Sequence, residues 1–144
     1  MRLPDREIRK AISQALSGMT VVSPFGGAEL DITVHDYRLP ENKTEYVLMI
    51  NQWADLDRET KCPENTWNCG ITLDIVTVFP NEQGSRLLAD IIQEEVWNRT
   101  KSLSIDHFYN EEQTMRSPDD LETMTPTQNI YRKLIQYEFK LIEK

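Results

Sequence analysis

The stretch 69–97 constrains the fold more than any other part of the chain, because it reads as a strand that turns sharply into a helix. From 71 to 79 the side chains alternate: Ile71, Leu73, Ile75, Thr77 and Phe79 take one face, and Thr72, Asp74, Val76 and Val78 the other. Pro80, with no N–H to give a ladder, ends the strand. Asn81 is of N-cap type, and Glu82 would suit the positive end of a helix dipole in the first turn. Gly84, Leu87, Leu88, Ile91, Ile92 and Val96 then recur at helical spacing. Both elements must bury an apolar face, most simply against one sheet.

The remaining segments supply that sheet. Pro4 and Asp5 open a helix with Ile8, Ala11, Ile12, Ala15 and Leu16 on one side, and Gly18 stands where a C′ glycine ends it. Residues 19–22 and 30–37 read as two short strands around Ser23-Pro24-Phe25-Gly26-Gly27. Phe25 at that tip is either tucked under the loop or offered to a partner. Pro40 biases Leu39 away from helix.

The run Tyr46-Val47-Leu48-Met49-Ile50 suits a central strand covered on both faces. Opposing Tyr46, Leu48 and Ile50 to Ile75, Leu73 and Ile71 keeps one face of a long hairpin apolar. Continued outward, this register sets Ala54 opposite Trp67 with Trp53 beside it, on an arm at about 53–68 that projects beyond the core. The two tryptophans either cross to a neighbour or pack on their own arm, and Phe25, Trp53, Asp55, Arg58 and Trp67 are the candidate interface residues. Cys62 and Cys69 lie seven residues apart, roughly 23 Å on an extended strand. A disulfide would require the arm to close on itself, so two free thiols are expected.

Beyond the central helix, 103–109 reads as a short strand. Residues 110–128 are polar, with Pro118 and Pro126 and no period, and read as a long loop, the loop region as a whole spanning about 99–128. A strand over 130–142 closes the chain, with Tyr131, Ile135, Tyr137, Phe139 and Leu141 on one face and Arg132, Gln136, Glu138 and Lys140 on the other. The expectation is a single α+β domain over 1–144. Its sheet is mostly antiparallel, an N-terminal and a central helix pack on one face, and a hairpin arm projects.

Chemistry is sparse. His35 and His107, the only histidines, have no partner at metal or nucleophile spacing. Phe25-Gly26-Gly27 is too short for a phosphate loop and leads into a strand. Asp119 after Pro118, together with Glu138 and Lys140, has the form of a magnesium nuclease constellation. The match is short, however, and a formal charge of −8 is wrong for gripping a duplex or an anionic membrane. No apolar run approaches the ~20 residues of a membrane span. The first residues do not read as a signal peptide, so folding in the cytoplasm is expected. No cofactor and no enzymatic activity are expected.

The order of parts carries a resemblance. A helix ends in Leu16-Ser17-Gly18, and a strand end Val34-His35-Asp36-Tyr37 leads through Pro40 to Tyr46-Val47-Leu48. The alternating strand follows, then the helix through Ile91-Ile92, a loop with Met115-Arg116 and Pro118-Asp119-Asp120, and a closing strand through Tyr137-Glu138-Phe139. This resembles the tail-terminator or tail-completion proteins of tailed bacteriophages. The 53–68 arm is longer than in a minimal member, and 99–128 lacks the glycine often found before the last strand. The resemblance implies a structural virion protein whose ring, commonly a hexamer, caps the head-proximal end of the tail tube. Its partners would be copies of itself, the tube protein and a head-completion protein, with DNA only passing through the lumen. A non-viral α+β binding or adaptor module is the alternative reading.

Overall fold

The first helix, α1 (Asp5–Ala15), forms where its apolar spacing predicts, buries Ile8, Ala11 and Ile12, and is followed by Gly18 in the left-handed region (φ 67°). The protein is described by a computed structural model that covers residues 1–36, 43–59, 61–80, 84–118, 120–125 and 127–144. Expectations resting on Tyr37, Leu39, Pro40, Asn81, Glu82 and Pro126 lie outside these residues.

Strands β1 (Thr20–Val22) and β2 (Glu29–Asp31) pair antiparallel as the expected hairpin. The second of them does not run on unbroken to residue 37. Buried Ile32 separates β2 from β3 (Thr33–Asp36), which leaves the hairpin and joins the main sheet. That sheet also holds β4 (Glu45–Leu56), β5 (Thr66–Pro80), β6 (Phe108–Arg116), β7 (Leu121–Met124) and β8 (Gln128–Glu143). The order is β3–β4–β5–β8–β6, with β7 also on β8. Only β3 and β4 run parallel, so the sheet is mostly antiparallel as expected.

Three expectations are corrected. The β4–β5 register is one residue off: Val47 and Met49 oppose Ile75 and Leu73, while Tyr46 and Leu48 oppose Val76 and Asp74. The run 46–50 is apolar on both faces, so alternation could not choose between registers, and a slip of one residue exchanges the faces. The region 99–128 is not a long loop, because β6 and β7 occupy it in succession along the edge of β8 that β5 leaves free. Its polarity belongs to an edge strand with one wet face, broken near Pro118. The hairpin is present, but β8 runs beside it as far as Thr66↔Ile142, so only the turn beyond Leu56 extends past the sheet.

The second helix, α2 (Leu87–Thr100), starts later than the sequence suggests, where Ser85 Oγ accepts the amide of Leu87 at 3.1 Å. Its buried stripe is Leu88, Ala89, Ile92, Val96 and Thr100, while Leu87 stays largely exposed. Both helices cover one face of the sheet and close the main core with Val47, Met49, Ile71, Leu73, Ile75, Ile135, Tyr137, Phe139 and Leu141. The other face carries a small cluster of Tyr46, Leu48 and Val76 and receives no described helix.

Side chains rather than backbone finish α2. The Thr100 hydroxyl donates to Val96 O at 2.7 Å, which leaves its oxygen to accept the Tyr137 phenol at 2.6 Å. Burial pushes the Tyr137 phenol well above its ordinary range. Gln113 of β6 donates to Thr100 O at 2.6 Å and accepts the amide of Leu103 at 3.2 Å, serving one of the helix's orphan carbonyls. Gln113→Ala is therefore expected to lower stability by about 1–2 kcal/mol in urea unfolding, since it strands half-buried polar groups. A smaller effect than Glu94→Ala, on the exposed side of the same helix, would contradict the capping role.

Candidate functional site

The candidate interface residues fall into three situations. Trp67 is only 4% exposed and lies in the main core among β5 and β8 side chains, so it is no interface residue. The expectation failed because β8 covers the hairpin where an isolated arm would have left Trp67 bare. Trp53, 41% exposed, and the exposed Asp55 and Arg58 lie at the hairpin end of the sheet. Phe25, 53% exposed, lies elsewhere: its ring meets Phe79 edge-on at 5.9 Å, and Phe79 meets Tyr131 in the same way. One edge of Phe25 is therefore anchored and the rest is open.

A bulge decides where Trp53 points. Between Ile50↔Thr72 and Trp53↔Gly70, Asn51 and Gln52 on β4 oppose Ile71 alone. Asn51 takes a positive φ of 50°, which asparagine tolerates better than most residues. Gln52 turns to the helix face, donating to Asp5 O at 2.8 Å and accepting Arg9 at 2.6 Å. The extra residue moves Trp53 from the helix-covered face to the opposite one. There the indole lies on Gly70, where an added Cβ would stand 2.7 Å from Trp53 Nε1 and 2.5 Å from Tyr137 O. Glycine at 70 is what lets the ring approach the strand this closely.

Around Trp53 the open face forms a run of shallow depressions of about 240 to 450 Å³. Glu138 lines all three, Trp53, Gln136 and Thr114 line two each, and Glu112, Asn68 and Lys140 line one. Glu138 and Lys140 of the suspected nuclease constellation thus face one trough, while Asp119 lies outside the described residues. Among the described residues no three His, Cys, Asp or Glu side chains gather as metal ligands. His35 Nε2 lies 2.7 Å from Thr33 Oγ1, and its ring meets Tyr46 edge-on. His107 holds a positive φ of 69° at the turn into β6.

Sequence reasoning missed one further feature of this face. Arg132 reaches Asp74 with Nε at 3.0 Å and a terminal nitrogen at 2.6 Å, beside Tyr46 and Val76. The Asp74 side chain is 3% exposed and that of Arg132 37%. Hydrogen bonding to Asp74 holds the guanidinium above its ordinary range, and burial followed by the Asp74 charge raises the Tyr46 phenol. The two residues lie 58 apart in sequence and meet only through the β5–β8 register.

Neither cysteine is in a disulfide, as expected, and the two differ in environment. Cys62 Sγ donates to Glu64 at 3.0 Å near the surface, whereas burial pushes the Cys69 thiol up to about 12. A raised thiol pKa means Cys69 holds its proton at pH 8, so iodoacetamide should label one cysteine in the native protein and two in denaturant. Native labelling of both would contradict the buried position of Cys69.

Among the described residues no helix is long and apolar enough to cross a membrane. No protein-family model matches the chain, and no curated protein does.

Proposed function

We propose that this chain is a structural protein of a tailed bacteriophage. In this reading it forms a ring at the head-proximal end of the tail, ends the tail tube and joins it to the neck, and performs no chemistry. The observation that carries the reading is the separation of two exposed aromatic surfaces on one stiff sheet. Phe25 rests on Phe79 at one end of β5, and Trp53 rests on Gly70 nearer the other, nine residues away along the strand. That is roughly 30 Å. A ring closes through head-to-tail contacts, which require two different patches on each copy, and a tube-capping ring also needs axial faces. Phe25 at one end, and Trp53, Asp55 and Arg58 at the other, are the surfaces assigned to these neighbours. The formal charge of −8 suits a lumen that lets DNA slide without adhering.

An antibody raised against the purified chain, applied to tailed particles from cells carrying its gene, tests the assignment by electron microscopy. Gold at the junction of head and tail is the expected result. Purified particles that carry no label, while the same antibody detects the chain in the lysate, would overturn the virion reading.

A further inference from the structure

The turn at Phe25 and the trough at Trp53 are unlike surfaces that suit each other. Residues 20–28 carry no charge, and the turn is held from within. The Ser23 amide donates to Ala28 O at 2.7 Å, that of Gly27 to Ser23 O at 3.1 Å, and that of Phe25 to Ser23 Oγ at 3.1 Å. Phe25 therefore stands on a fixed turn with about half its ring open. The trough is shallow and its charges are balanced. The registers set Lys140 opposite both Glu112 and Asn68, and Arg116 lines the same trough as Glu138. Among the described residues the exposed Phe, Trp and Tyr rings are Phe25, Trp53 and Tyr109. Lys144 Nζ stands over Tyr109 at 4.9 Å, so the rings that remain for a neighbour are Phe25 and Trp53.

Resting on the ring reading, we infer that neighbouring copies meet through this pair: the Phe25 turn of one copy seats in the Trp53 trough of the next. A chain cannot make the contact with itself. Its own Phe25 rests on Phe79, nine residues along β5 from the Gly70 that supports Trp53. Between copies, Phe25 and the indole meet as an aromatic pair, in the edge-on or offset approach such rings prefer. Exposed Val22 and Pro24 widen the apolar contact around them. Glu112, Glu138, Arg116 and Lys140 form a polar rim that water still reaches. An uncharged turn suits this balanced trough, since a charged segment would lose hydration there without gaining a net counter-charge. It also lets copies of formal charge −8 meet without setting like charges against each other at the contact. Turn and trough lie on different parts of one copy, so each copy gives one and receives one, as a closing head-to-tail ring requires.

Size exclusion with light scattering reads the contact in the full chain, over a concentration series. Phe25→Ala and Trp53→Ala should each raise the concentration for half-assembly at least about tenfold. Mixed one to one at the highest concentration, the two variants should give pairs and nothing larger, because Phe25→Ala keeps a trough and Trp53→Ala keeps a turn. Ala28→Glu sets a charge in the exposed turn while leaving Phe25 on Phe79, and should weaken assembly by a similar factor. Tyr109→Ala should leave assembly unchanged. Circular dichroism of each variant checks folding. Rings that survive Phe25→Ala, Trp53→Ala or Ala28→Glu undiminished, an equal loss in Tyr109→Ala, or a mixture that stays at single-chain mass would overturn the pairing and leave the ring reading standing. A single-chain mass for the unaltered chain at every concentration would overturn both.

Discussion

Replacing Arg132 with methionine is expected to destabilise the protein by about 3–5 kcal/mol, through the charge it leaves behind. Asp74 projects from the central strand β5 onto the open sheet face, yet its side chain is only 3% exposed. It is covered by Tyr46, Leu48 and Val76 and compensated by the two-nitrogen grip of Arg132. The guanidinium is a third exposed and can return to water, so Asp74→Asn should cost less than Arg132→Met. The asymmetry is the point of the test: the partner that cannot be resolvated sets the larger penalty. Combining Asp74→Leu with Arg132→Met should recover most of the loss, since a buried ion pair exchanged for apolar groups of similar size is often neutral. Urea unfolding of the three variants checks this. A loss below about 1 kcal/mol for Arg132→Met would show that the pair behaves as a surface contact.

The two hairpin tryptophans should respond in opposite ways. Trp67→Ala is expected to cost about 3–5 kcal/mol, as truncation of a buried indole does, because it hollows the core where β5 meets β8. Trp53→Ala removes a ring that is two-fifths exposed and rests on glycine, and should cost about 1 kcal/mol or less. Trp53 is expected to matter for binding and Trp67 for folding. Equal losses from the two substitutions would contradict the placement of the rings on opposite faces of the sheet.

That placement shows where the sequence was legible and where it was not. The alternation at 71–79, the stripe of α1 and the closing strand follow directly from apolar spacing, because each concentrates its apolar side chains on one face, although 71–77 of β5 is buried on both. The strand at 46–50 has no wet face, so its register lay beyond any reading of periodicity. The bulge at Asn51 then re-aimed everything after it, and the only local hint was an asparagine in an apolar run. Polar β6 looked like a loop because an edge strand of nine residues with Glu111, Glu112 and Gln113 at its middle carries little apolar signal. Among candidate interface residues, Phe25, Trp53, Asp55 and Arg58 are exposed as the sequence suggested, while the fate of Trp67 depended on β8 lying alongside. The Asp74–Arg132 pair needed the β5–β8 register before either residue could be linked to the other.

The mass of the purified chain in solution, measured by light scattering across a concentration series and paired with negative-stain images, tests the assembly account most directly. Copies that close head-to-tail should give one discrete multiple of the 16.9 kDa chain and particles with an open centre. A single-chain mass at every concentration up to the solubility limit, with no rings in the images, would contradict it.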